Sequence, residues 1–278
     1  MAVITFATPE NWEKAEGFGC ATQRFAGAWQ DPATYEYDLQ GQVLTGTYTE
    51  ILAAAEKIEK ADVAIVFFGN AGGENAFLRS LQNSLRCPMV GGGAAFTTKP
   101  GLVTGEGEAA VLVVRDDRYT FETETQCVHR EVLDECTLVL EDARTISTIN
   151  GQEPVAYLKE KKAAFGIPET DFEHITLTDS LGVNAHLSLA DGKIKSGRDL
   201  CKTMYLRRVP HEEVTEAARA FYDDKDAIVF GCAGLGGILD IIPQTPSLGL
   251  FLFGEVCTVD GKAEFGNLML SKLRIRKK

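Results

Sequence analysis

Two stretches of the chain follow one plan, and that plan constrains the fold more than any other feature. Residues 61–69 (Ala-Asp-Val-Ala-Ile-Val-Phe-Phe-Gly) and 225–231 (Lys-Asp-Ala-Ile-Val-Phe-Gly) are apolar runs of strand length closed by glycine. After each comes a Gly-rich break and a second apolar run ending in glycine, Pro88-Met-Val-Gly91-Gly92-Gly93 in one half and Leu250-Phe-Leu-Phe-Gly254-Glu255 in the other. A third run follows, opened by Glu106-Gly-Glu108 and by Glu264-Phe-Gly-Asn267. Continuous apolar runs of this length are expected of strands covered on both faces. The order predicts two related α/β units, residues 1–130 and 131–278, of a mixed α+β class. Their buried mixed sheets are expected to be flanked by helices and packed together. A seam between two such units is a natural place for a small ligand.

Around these runs the periodicity sets the remaining elements. Residues 2–7 read as a strand, Thr8-Pro9-Glu10 as a helix start, and 25–46 as loop or short hairpin. A helix is expected from Thr47 or Thr49 to about Lys60, and another through Phe77, Leu78, Leu81 and Leu85. Pro154 and Gly166 bracket a third helix, and Pro210 opens a fourth. Ala190-Asp-Gly192 and Asp260-Gly261 are turn signals. The last run is read as one final strand containing Asn267.

Composition removes some function classes. The 278 residues carry a formal charge of −12, which opposes phosphate backbones and anionic headgroups, so neither nucleic acid nor membrane is an expected partner. No apolar run approaches the ~20 residues of a spanning helix, and the first residues lack a secretory pattern. The seven cysteines are scattered, with no Cys-x-x-Cys, which fits reduced thiols in the cytoplasm.

The chemistry-bearing candidates gather at the glycine breaks. Gly231-Cys-Ala-Gly-Leu-Gly-Gly237 lacks the third glycine of a dinucleotide fingerprint, and Pro243 and Pro246 leave little room for its helix. The glycines either mark tight strand exits and close backbone packing, or leave N–H groups exposed at Gly91–Gly93 and Gly231–Gly234 as an anion-binding concavity, and both can hold at once. Cys232 is either a small buried hydrophobe or a nucleophile needing a base. Glu255 should emerge at a sheet end, either as an ordinary solvated acid or ready to accept from an amine or to pair with Arg198, Arg207 or Arg208. Asn267 either caps a turn or faces the cleft. His129, His174, His186 and His211 stand singly, and one histidine suffices as an axial haem ligand.

Several of these stretches together resemble a FIST-domain protein, a sensory module with N-terminal and C-terminal regions. The resemblance lies in Ala227-Ile-Val-Phe-Gly-Cys-Ala-Gly234, Gly249-Leu-Phe-Leu-Phe-Gly-Glu255, the segment at Asn267, Pro88–Gly93, and Ile149-Asn-Gly-Gln-Glu-Pro-Val-Ala-Tyr157 at the joint. Leu235 stands where that pattern leads one to expect arginine. The resemblance implies a sensor of amino acids or related metabolites, in stand-alone form, acting through a separate signalling protein; some relatives bind haem. The expected site comprises Gly91, Gly92, Gly93, Arg198, Cys232, Gly234, Gly254, Glu255 and Asn267, with no catalytic residue, no metal and no cofactor. The alternatives are a haem-binding gas sensor and a thiol-dependent enzyme using Cys232.

Overall fold

The computed structural model describes residues 2–6, 35–69, 72–93, 107–222, 224, 227–232, 234–235, 248–252 and 254–278. The expected helix start at Thr8 lies outside them, as do residues 233, 236–247 and 253. The first third contains β1 (Ala2–Phe6), β2 (Tyr35–Leu39), β3 (Gly41–Thr47), α1 (Tyr48–Ala55), β4 (Val63–Phe68), α2 (Glu74–Leu85), β5 (Met89–Gly93), β6 (Glu108–Val114) and β7 (Tyr119–Cys127). A middle segment follows, with β8 (Glu131–Leu140), β9 (Thr145–Ile149), α3 (Pro154–Ala164), β10 (Ile175–Thr178), β11 (Asn184–Ala185), β12 (Leu187–Ala190), β13 (Lys193–Ser196) and β14 (Thr203–Arg208). The chain closes with α4 (His211–Tyr222), β15 (Ala227–Cys232), β16 (Leu248–Leu252), β17 (Glu255–Val259), β18 (Lys262–Gly266) and β19 (Met269–Lys277). The class is mixed α/β, as expected.

Alternation decides the layers. In β4, Val63, Ile65 and Phe67 point one way and join Ile228 and Phe230 of β15 and Leu273 and Ile275 of β19. Ala64, Val66 and Phe68 point the other way, onto Ile51 and Ala55 of α1 and Phe77, Leu78 and Leu81 of α2. Val229 and Leu270 face Ala218 and Phe221 of α4. Two mixed sheets therefore pack face to face with helices outside them. One has six strands in the order β18-β17-β5-β4-β6-β3, the other four in the order β16-β15-β19-β7.

The repeat read from the sequence is present in the pairing. β4 is parallel to β5 and antiparallel to β6, which is antiparallel to β3. β15 is parallel to β16 and antiparallel to β19, which is antiparallel to β7. The pairing crosses the expected join at 130/131, however. β7 lies in the sheet of the later half, and the β17–β18 hairpin pairs with β5 of the earlier half. The segment from β8 to β14 sits between the first strand of the second set and its helix α4. It forms a separate antiparallel sheet of seven strands over α3, with its own core of residues such as Leu138, Ile146, Leu158 and Leu206.

Some elements differ from the sequence reading. Residues 41–46, within the stretch expected as loop or short hairpin, belong to edge strand β3, where Gly41 and Gly46 hid a pattern that is exposed on one side. Helix α1 ends at Ala55 rather than near Lys60. It begins in a capping box, in which Thr47 Oγ1 accepts from Glu50 N–H and the Glu50 carboxylate accepts from Thr47 N–H at 2.9 Å. The last apolar run divides into β18 and β19, so Asn267 lies in the turn between them. The open edge of β18 is covered by α2: Gln82 Oε1 accepts from Ala263 N–H at 2.8 Å and Asn75 Oδ1 from Phe265 N–H at 2.6 Å. Side chains thus satisfy donors that an edge strand would leave open to another chain. No helix among the described residues is long and apolar enough to cross a membrane.

Candidate functional site

The interior between the two sheets changes character along its length. At one end it is apolar, lined by Val63, Ile65, Ile228, Leu273 and Ile275, while the Phe67 and Phe230 rings, 6.4 Å apart, lie level with Ser271 and Glu255. Toward the carboxyl ends of the parallel pairs β4/β5 and β15/β16 it becomes polar. On β19 the residues sharing the face of Leu273 and Ile275 are Ser271 and Met269, and on β7 their register partners are Thr125 and Cys127. Cys257 of β17 packs with Met269 and Cys127. Glu255 lies two residues earlier on the same face of β17, and Cys232, at the end of β15, stands beside its carboxyl. Ligands of open α/β sheets sit at this end of the strands.

Glu255 is fully buried. Its Oε2 accepts from Met269 N–H at 3.1 Å, while Oε1 has no hydrogen-bond partner. Burial raises the carboxyl well above the ordinary range, against the pull of the Met269 N–H and the Cys232 thiol. No lysine or arginine among the described residues forms an ion pair with it. The expected pairing with an arginine is therefore corrected: Arg198 Nη2 donates to Asp179 at 3.0 Å and Nη1 to the Val183 carbonyl, while Arg208 pairs with Glu131. Both Arg198 and Asp179 are buried, and Asp179 also accepts from the N–H groups of Leu181 and Val183. Arg198 Nε has no acceptor, and its charge acts on the nearby Cys257 thiol.

Two hydroxyls complete the polar end. Ser271 is fully buried and Thr125 partly so, and neither Oγ atom has a hydrogen-bond partner. Thr125 lies beside the Cys257 thiol, but not in hydrogen-bond geometry. Burial, with Glu255 nearby, raises Cys257 well above its usual value and pushes Cys232 up to about 12. The backbone N–H groups of Leu268, Gly234 and Gly254 work against that rise at Cys232. Both thiols are therefore neutral at physiological pH.

Of the two parts expected of the glycines, close backbone packing is the one seen at Gly91–Gly93. Gly91, Gly92 and Gly93 are buried inside β5, not exposed at a loop. Their backbone groups are committed to the sheet: Gly91 and Gly92 pair with β4 and β17, and Gly93 N–H donates to the Gly254 carbonyl at 3.0 Å. An anion-binding concavity at Gly91–Gly93 is thereby overturned. What the sequence signals there is close approach, since a Cβ on Gly92 would lie 2.1 Å from the Gly254 oxygen. Gly254 itself has φ 88°, and a side chain on it would strike Phe265 and Asn267. Gly234 packs against Leu268 and the Cys232 sulfur.

Asn267 bridges the sheets to the middle segment. Its N–H donates to the Asn184 carbonyl at 3.0 Å, and its Oδ1 accepts from His186 N–H at 3.3 Å. Asn184 in turn donates through Nδ2 to the Leu268 carbonyl, where Leu268 is held at φ 53°. Asn184 Nδ2 also meets His129 Nδ1 at 3.1 Å, and His129 Nε2 meets the Glu173 carbonyl at 2.7 Å. That network fixes the tautomer: Nε2 carries the proton and Nδ1 accepts. Burial holds His129 down to about 4, so the imidazole is neutral.

The structure thus brings together Cys232, Gly234, Gly92, Gly93, Gly254 and Glu255, with Asn267 at the rim and Arg198 reaching Cys257. Sequence reasoning missed Thr125, Ser271, Cys257, Asp179 and Asn184. Only Ser271 carried a signal, as one polar residue on a face otherwise made of Met269, Leu273 and Ile275. Among the described residues no group of three or more His, Cys, Asp or Glu is placed to hold a metal ion. A scan of the sequence against protein-family models matches none, and a search of curated proteins finds no match.

Proposed function

We propose that this chain is a cytoplasmic small-ligand-binding sensory protein whose ligand, an amino acid or related metabolite, binds at the polar end of the inter-sheet interior. The observation that carries the reading is Glu255: a fully buried carboxyl with one oxygen unpartnered and, among the described residues, no ion pair to a cation. A buried polar group without a partner costs free energy, and a ligand that supplies the partner recovers it. Arg198, whose charge acts on the Cys257 thiol, has an unpartnered Nε that can donate to the acidic group of such a ligand. The resemblance of the glycine-ended strands to a sensory module supports the same class, with output through a separate signalling protein. The test is a thermal-shift screen of the common amino acids. Stabilisation is expected, and it should shrink in Glu255→Gln; an equal response in the variant removes Glu255 from the site.

A thiol-dependent enzyme using Cys232 has one observation in its favour, the backbone N–H groups of Leu268, Gly234 and Gly254 near the sulfur. Burial and the neighbouring carboxyl weigh against it, because a thiol pushed up to about 12 supplies little thiolate at neutral pH. The haem alternative is least supported: both ring nitrogens of His129 are engaged, and His174 Nδ1 is bound to Asp171 at 2.6 Å.

A further inference from the structure

We infer that the ligand group read by this site is a primary ammonium, held by Glu255 Oε1 together with the hydroxyls of Ser271 and Thr125. The inference rests on the ligand-binding reading above and specifies its chemistry. Three unpartnered oxygens lie on three strands that meet at the same end of the interior: Glu255 on β17, Ser271 on β19 and Thr125 on β7. Ser271 and Thr125 are direct register partners, and Met269, whose N–H holds the other oxygen of Glu255, is two residues from Ser271 on the same face. Cys257, beside both Thr125 and Glu255, ties the set together.

The donor count fits an ammonium. A primary ammonium presents three N–H donors and no acceptor, and an ionised carboxylate accepts only, while hydroxyls can accept. Three charge-assisted bonds, the one to Glu255 also an ion pair, would leave none of these oxygens unpartnered. A carboxylate or phosphate group offers acceptors only, and its charge would disfavour the ionised form of Glu255 instead of restoring it. The backbone N–H groups that could have offset that charge are already spent within β5. A quaternary ammonium has no N–H to give. The neighbouring thiols of Cys232 and Cys257 are neutral and so do not compete for the cation.

Binding a cation should also move a proton. Glu255 is held neutral by burial, and an ammonium beside it restores the charged form, so the carboxyl proton leaves for solvent. The experiment is isothermal titration of the purified protein with three series. These are the common amino acids, the amines left by removing the carboxylate, and the acids left by replacing the amine with hydrogen. Each runs in two buffers of different ionisation heat near neutral pH.

The expected result is binding by amino acids and amines but not by the acids. Up to about one proton should be released per ligand, a release lost in Glu255→Gln. Ser271→Ala and Thr125→Val should each weaken binding roughly tenfold while circular dichroism stays unchanged. Binding by the acids with silent amines, or binding with no proton released, overturns the ammonium assignment and leaves the ligand reading standing. Silence of all three series overturns the ligand reading and this inference with it.

Discussion

Replacing Glu255 with glutamine should make the protein more stable as pH rises. The side chain is buried, its carboxyl is raised well above 4.5, and no cation among the described residues pairs with it. Folded protein therefore binds this proton more tightly than the unfolded chain does. The carboxyl's contribution is fully present below the unfolded value and is lost as pH climbs toward the folded value. The loss amounts to about 1.4 kcal/mol for each pH unit crossed. Glutamine keeps the shape and keeps an oxygen to accept from Met269 N–H, but carries no titrating proton. The difference in unfolding free energy, variant minus wild type, should therefore grow by about 1.4 kcal/mol per pH unit from near pH 5 upward. Urea unfolding followed by circular dichroism at pH 5, 6 and 7 gives that difference directly, and His129 and His186, present in both proteins, cancel. A difference that stays flat across the range, or that falls, would refute the account of a lone buried carboxyl.

Two further outcomes follow from neighbouring groups. Arg198→Met leaves Asp179 buried without its cation and should cost about 3–5 kcal/mol in urea unfolding; a cost under about 1 kcal/mol would show that water reaches the pair. Cys232 should resist iodoacetamide in native protein at neutral pH and react only on unfolding, because burial and Glu255 push its thiol up to about 12. Rapid native labelling, mapped by mass spectrometry, would return the thiol-enzyme reading to the front.

The sequence made the repeat legible because buried strands advertise themselves. Val63–Phe68 and Ala227–Phe230 are continuous apolar runs, and each is covered on both faces. The turn at Asp260-Gly261 was equally plain, since both residues take positive φ. Gly91–Gly93 was ambiguous in the sequence because glycine marks both loops and close backbone approach, and only the neighbour Gly254 distinguishes them. Which sheet the β17–β18 hairpin joins was not legible at all. Its partner β5 lies far away in sequence, and local alternation carries no record of a distant partner. The same holds for the site. Glu255 was readable as a carboxylate at a strand end, but its full burial and its two hydroxyl neighbours depend on strands brought together only by the sandwich.

A crystal structure of the protein grown with whichever amine or amino acid stabilises it most addresses the central claim most directly. The account predicts density for the ligand nitrogen within hydrogen-bond reach of Glu255 Oε1, Ser271 Oγ and Thr125 Oγ1, between the two sheets. Ligand bound elsewhere, with those three oxygens bridged to one another or to water alone, would contradict it.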